Sequence, residues 1–259
     1  MIGIFDSGIG GLSIYSALKQ FMPQISCFYF ADHRHFPYGE KTKKQIIDYT
    51  VQISDFLVKQ GSELIVVACN TATITSIQHL RKTFQVPFVG TVPAIKPACL
   101  QSKSKKVAVL LTHTAARGNV FHDLLSSWAQ GVEVKNIRSP ELVEISEKQL
   151  QHTPEALAYL RSILDPLKKT GFDSLVLGST HFIFLKPWIQ EVYPDQFQIF
   201  DPAEGVARQT KRILEQNSDG LHESKDLFFT SGDIEEYWIK LKALVGEHVP
   251  ADSVKRISL

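Results

Sequence analysis

The sequence predicts an α/β protein of two pseudo-symmetric, doubly wound domains, each with a parallel sheet, and an active-site cleft between the domains. Three observations carry this. Short apolar runs alternate with amphipathic ones along the whole 259-residue chain. The apolar runs are continuous rather than alternating, as expected for strands buried on both faces by helices. One strand-and-loop pattern also occurs twice: "GSELIVVACNTA" from Gly61 and "GFDSLVLGSTHF" from Gly171. In each, a glycine precedes an apolar strand, and a small polar or thiol residue stands eight positions after that glycine, Cys69 in one and Ser179 in the other.

The strand-like runs are Ile2–Phe5, Cys27–Phe30, Leu64–Ala68, Phe88–Gly90, Val107–Leu111, Val132–Asn136, Ser174–Leu177 and Gln198–Phe200. Between them, Lys44–Gln60 and Pro154–Thr170 place apolar residues at helical spacing. "IGIFDS" at the start is echoed by "VAVLLT" from Val107, extending the internal repeat. The domain expectation is 1–97 plus 207–259 for the first and 98–206 for the second, with the basic, Ser-rich "QSKSKK" (101–106) as the crossing. Ligands of such folds gather at the C-terminal ends of the strands.

Composition narrows the function. The chain is 44% hydrophobic and 21% charged with a net charge of +1, which fits a folded protein with no general attraction for polyanions. Lys103, Lys105 and Lys106 read as a solvated turn, so no nucleic-acid partner is expected. Three widely spaced cysteines, Cys27, Cys69 and Cys99, suggest neither a disulfide framework nor a CxxC metal site. No run approaches the ~18 apolar residues of a membrane span. A cytoplasmic protein without a membrane partner is the expectation.

Candidate chemistry lies in the strand-end loops. "IFDSGIGGL" puts Asp6 and Ser7 after the first strand, before three glycines whose N–H groups could converge on an anion. A dinucleotide fingerprint would need glycine at Ser13, so the competing reading is a tight turn capped by Asp6. In "ADHRHFPYGEKT", His33 and His35 lack partners for a metal site, and Pro37, Tyr38 and Gly39 form a turn. "VVACNTAT" places Cys69 at a helix mouth, where the dipole and free N–H groups favour thiolate, with Asn70 and Thr71 beside it. A phosphatase-type loop would want arginine at Thr75. Glu141, Glu144 and Glu147 form one helical stripe, which reads as a solvated face. "LGSTHF" is not a hydrolase elbow, because no glycine follows Ser179 at the required place, although His181 is near enough in sequence for acid/base work.

Together "FDSGIGG", "PYGEKT", "ACNTA", "VPAIKPA", "SPELVEISE" and "LGSTHF" resemble the glutamate racemase family of the cofactor-independent aspartate/glutamate racemases, in order and spacing to about residue 215. "VPAIKPA" and "ELVEISE" are similar to the proteobacterial branch, whose members can be activated by a peptidoglycan precursor. The resemblance implies racemisation of glutamate by two proton carriers, one per domain, with no cofactor or metal. It implies a homodimer or monomer. It makes Cys69 the first-domain base with Asp6 as carboxylate helper, and His181 and Glu147 the second-domain assistants. Ser7, Pro37, Tyr38, Gly39, Asn70, Thr71 and Thr180 fall where the family binds glutamate.

Two positions depart from the family. Ser179 stands where the second catalytic cysteine is usual, and Ala116 stands where a threonine is usual, with Thr114 a possible replacement. Two alternatives therefore stay open: a one-thiol relative, either an enantiomer-selective racemase or a decarboxylase, and a catalytically silent homologue that binds a ligand or protein partner.

Overall fold

The computed structural model describes residues 1–112, 119–217, 225–246 and 249–259. Thr114 and Ala116 lie outside them. In chain order the elements are β1 (Ile2–Asp6), α1 (Leu12–Phe21), β2 (Cys27–Ala31), α2 (Lys43–Lys59), β3 (Leu64–Val67), α3 (Asn70–Thr83), β4 (Phe88–Gly90), α4 (Ile95–Gln101), β5 (Lys106–Leu111) and α5 (Asn119–Trp128). There follow β6 (Glu133–Arg138), α6 (Pro140–Glu147), α7 (Pro154–Lys169), β7 (Ser174–Leu177), α8 (Thr180–Phe184), α9 (Lys186–Val192), β8 (Gln198–Phe200), α10 (Ala203–Asn217), β9 (Leu227–Thr230), α11 (Ile234–Val245) and β10 (Val254–Arg256).

Two compact units result, Met1–Thr91 with Ala203–Leu259, and Val92–Pro202. The first holds a six-stranded sheet in the order β10-β9-β2-β1-β3-β4, and the second a four-stranded sheet in the order β6-β5-β7-β8. Every pairing is parallel. The central strands β1, β3 and β7 are buried at every position, as their continuous apolar runs require. The edge strand β6 instead carries Glu133, Lys135 and Arg138 toward solvent, which discourages pairing with another chain.

The internal repeat has a structural basis. β2-β1-β3-β4 and β6-β5-β7-β8 are the same strand order, so β1 corresponds to β5 and β3 to β7. The two repeat glycines end the preceding helices alike. Gly61 and Gly171 have φ of 98° and 79°, a region costly for other residues. The following N–H reaches back to close the helix, Ser62 to the Leu57 carbonyl at 3.0 Å and Phe172 to the Leu167 carbonyl at 3.1 Å. Sequence patterning also placed α2 well. Thr42 and Gln45 form a reciprocal capping box at its start, an arrangement worth about 1 kcal/mol.

Two strands were not foreseen. β9 is only four residues long, and β10 reads in sequence as a charged tail. β9 is created by pairing onto β2, and β10 by pairing onto β9 at the exposed edge. Pairing, rather than apolar pattern, defines them.

Residues 101–106 lie inside the second unit, running from the end of α4 into β5. Asp173 organises this turn, accepting from Ser102 Oγ at 2.7 Å, the Ser104 N–H at 2.7 Å and Ser174 Oγ at 2.8 Å. Burial pushes its carboxyl up, but these donors outweigh burial and hold it at about 2. A depressed carboxylate stabilises the fold above its unfolded value of ~3.9, and the gain is lost as pH falls toward the folded value. After discounting for solvent screening, Asp173→Asn is expected to cost about 1–2 kcal/mol at pH 7. Denaturant titrations of both proteins between pH 7 and pH 2 should show that difference shrinking toward zero below pH 4.

Candidate active site

The site in the first unit arises where the strand order reverses. From β1 the chain moves outward to β2, then returns to place β3 on the other side of β1, so the loops after β1 and β3 part at their C-terminal ends. The Ala68 N–H donates to the Phe5 carbonyl at 2.9 Å, which sets Cys69 beside the loop that begins at Asp6. Asp6 is fully buried; its Oδ1 accepts from the Gly8 N–H at 2.9 Å and lies 3.4 Å from Ser7 Oγ. Asp6 thus caps its own turn while presenting charge beside Cys69.

Cys69 is the N-cap of α3. Its sulfur accepts from the Ala72 N–H at 3.4 Å and lies 4.0 Å from Ser7 Oγ. Asn70 and Thr71 begin the helix and are buried. The expectation of a stabilised thiolate is not met. Burial comes first and the Asp6 charge second, and together they outweigh the Ala72 and Thr71 N–H groups and the Ser7 hydroxyl, pushing the thiol up to about 12. Desolvation of sulfur exceeds what one helix terminus returns.

The turn of residues 37–39 belongs to this neighbourhood. Tyr38 is 1% exposed and shares a core cluster with Cys69 and Ala72. Its hydroxyl donates to Asp32 Oδ2 at 2.6 Å. Burial, and then Asp32, raise its phenol well above the usual range; Cys69 and Asp6 add to this, so Tyr38 lies within electrostatic reach of both. Pro37 and Gly39 flank it, half-buried. Asp32 escaped the sequence reading. Its one available signal was its position just past the end of β2, one residue beyond the register partner of Asp6.

His33 and His35 serve structure here. His33 Nδ1 lies 2.9 Å from Thr230 Oγ1, while His35 Nδ1 lies 2.9 Å from Asp32 Oδ2 and its ring stacks on Tyr49. Among the described residues no group of three or more His, Cys, Asp or Glu is placed to hold a metal ion. Nor is any described helix long and apolar enough to cross a membrane.

The second unit repeats the construction at the β5/β7 reversal. The Gly178 N–H donates to the Leu110 carbonyl at 2.8 Å, as Ala68 does to Phe5. Gly178 allows this approach, because a Cβ there would meet the Leu110 carbonyl oxygen at 2.6 Å and Leu111 Cδ2 at 2.5 Å. Ser179 follows as the N-cap of α8, makes no side-chain cap bond, and is 6% exposed. Thr180 and His181 are buried beside it. His181 Nε2 pairs with Glu147 Oε2 at 2.8 Å, with both side chains below 10% exposure (4% and 9%). Ser146 Oγ donates to the His181 carbonyl at 2.7 Å, tying α6 to α8. The glutamate stripe on α6 is therefore divided: Glu141 and Glu144 are exposed, while Glu147 turns inward.

Comparison with known proteins accords with this arrangement. The profile described as Asp/Glu/Hydantoin racemase matches residues 10–210. The chain belongs to this family. It is 43% identical to a glutamate racemase of Deinococcus radiodurans over 82% of this chain and 74% of that one. Against a glutamate racemase of Ralstonia pickettii it is 38% identical over 98% of this chain and 90% of the other. The solved Escherichia coli glutamate racemase, in complex with L-glutamate and the activator UDP-MurNAc-ala, superposes with a TM-score of 0.89 at 31% identity, covering 99% of this chain and 97% of that one.

Burial and the Asp6 charge thus keep the Cys69 thiol protonated near neutral pH. Iodoacetamide should alkylate Cys69 about a thousandfold more slowly at pH 8 than a free cysteine of pKa ~8.5, judged by peptide mass mapping. The rate should climb without a plateau to at least pH 10. Asp6→Asn, by removing the neighbouring charge, should speed alkylation roughly tenfold.

Proposed function

We propose that this protein is a glutamate racemase, interconverting L- and D-glutamate by proton transfer at Cα and supplying D-glutamate for peptidoglycan in the cytoplasm. The observation that carries the reading is the repeated placement of a proton carrier. Cys69 and Ser179 occupy the same point after equivalent strands, each beside its own buried acidic partner group, Asp6 in one unit and the His181–Glu147 pair in the other. Two carriers are what inversion at carbon demands, since the proton leaves one face and another arrives at the opposite one.

In this mechanism Cys69, once deprotonated, takes the Cα proton from one face, and the Ser179 position supplies the proton to the other; the reverse direction exchanges the roles. Asp6 has two effects. After burial, its charge is the largest influence keeping the Cys69 proton on sulfur. When the substrate ammonium binds nearby, that charge is offset. A unit charge at ~5 Å and an effective dielectric constant of ~20 contributes about 3 kcal/mol, roughly two pKa units toward thiolate. Ser7, Asn70, Thr71, Thr180 and the turn Pro37-Tyr38-Gly39 bind the substrate's polar groups. No cofactor or metal enters. A peptidoglycan precursor is the candidate activator, as the E. coli relative's complex has one.

Ser179 favours a second reading. A hydroxyl gives up its proton far less readily than a thiol, so this side is the weaker carrier even with His181 beside it. A one-thiol member would exchange the Cα proton of one enantiomer through Cys69 faster than it racemises. Ser179→Cys is expected to raise racemisation in both directions by about 10²–10⁴-fold, the usual contribution of a positioned acid or base. Circular dichroism follows racemisation and NMR in D₂O follows exchange. Neither activity in either protein would sink both readings; exchange without racemisation in both would select the one-thiol enzyme.

A further inference from the structure

We infer that Ser231, in the turn after β9, is a positioning residue for the substrate loop and acts on it through Asp32; this rests on the racemase reading above. Ser231 lies beyond the segment matched by the family profile, which ends at residue 210. Yet the C-terminal segment is bonded directly to the first-unit loop. Ser231 Oγ donates to Asp32 Oδ1 at 2.8 Å and accepts from the Arg34 N–H at 3.0 Å. Its own N–H donates to the Ala31 carbonyl at 3.1 Å. The other oxygen of Asp32 takes the Tyr38 hydroxyl at 2.6 Å. One carboxylate, 2% exposed, thus joins the returning segment to the residue whose neighbours bind glutamate.

The chain extends to the chemistry. The Asp32 N–H donates to the Asp6 carbonyl at 2.9 Å, so the backbone that carries this carboxylate is fixed against the Asp6 loop, and rotating the side chain disturbs the Tyr38 turn alone. Oriented by Ser231 on one oxygen and by His35 Nδ1 at 3.0 Å, Asp32 has one conformation in which Tyr38 is held. Without the Ser231 hydroxyl a buried carboxylate oxygen loses a donor, which is a strong incentive to rotate. Ser231 touches no proposed substrate-binding atom, so its loss should weaken binding and leave proton transfer by bound enzyme nearly intact.

The test uses the full chain. Calorimetric glutamate Kd and thermal stability are measured for the parent, Ser231→Ala, Ser231→Cys and Ser231→Thr, with KM and kcat followed in the Ser179→Cys background. We expect Ser231→Ala to raise Kd and KM about five- to tenfold with kcat within twofold. Ser231→Cys, which keeps the volume but donates poorly, should move the same way, and Ser231→Thr should restore binding. Thr230→Val removes the neighbouring contacts to His33 Nδ1 and to the Gly232 N–H but not the path from Ser231 to Asp32, and should leave Kd unchanged. Should Ser231→Ala not fold, Ser231→Cys against Ser231→Thr decides. Unchanged Kd in folded Ser231→Ala or Ser231→Cys, or an equal rise in Thr230→Val, overturns the inference. Failure of the parent to bind glutamate overturns the racemase reading instead.

Discussion

Two backbone hydrogen bonds between neighbouring strand ends, Ala68 N–H to the Phe5 carbonyl and Gly178 N–H to the Leu110 carbonyl, set the geometry on which both halves depend. Each is the last rung of a parallel ladder at the point where strand order reverses. Past that rung the two loops must diverge, because their helices cross to opposite faces of the sheet. The residue after the rung is left at a helix mouth with its side chain in the opening. In one unit that residue is Cys69, and in the other Ser179.

The surroundings of these residues show burial and charge in competition. Around Cys69, desolvation and the Asp6 carboxylate exceed the favourable helix terminus, so the resting sulfur keeps its proton. The same low-dielectric setting leaves any charge brought near the sulfur poorly screened. In the second unit, the buried His181–Glu147 pair is held by the docking of α6 on α8. A thiol pushed up by burial and charge on one side and a buried histidine–carboxylate pair on the other give the two units different electrostatic characters on one shared framework.

Much of this was legible in the sequence because its physical causes are local. Continuous apolar runs marked the buried strands, and the glycine eight positions before Cys69 and Ser179 marked equivalent helix ends that need positive φ. The Asp6, Cys69 and Ser179 loops could be found for the same reason. Glu147 was set apart from Glu141 and Glu144 by the family resemblance alone and not by spacing, since a stripe has no inside until α8 packs against it. Asp32 and Ser231 were missed for a related reason: they lie about two hundred positions apart, and pairing of β9 with β2 brings them together.

The sequence by itself determined the two-unit α/β class, the strands buried on both faces, and the loops that carry a thiol in one half and a hydroxyl in the other. Periodicity, turn residues and repeat spacing encode these, and all act over one or two turns of chain. Tertiary structure decided the proton affinity of Cys69, the inward turn of Glu147, the strands β9 and β10, and the carboxylate that ties the turn after β9 to Tyr38. Those depend on desolvation and on distant pairings, which no stretch of the chain contains alone.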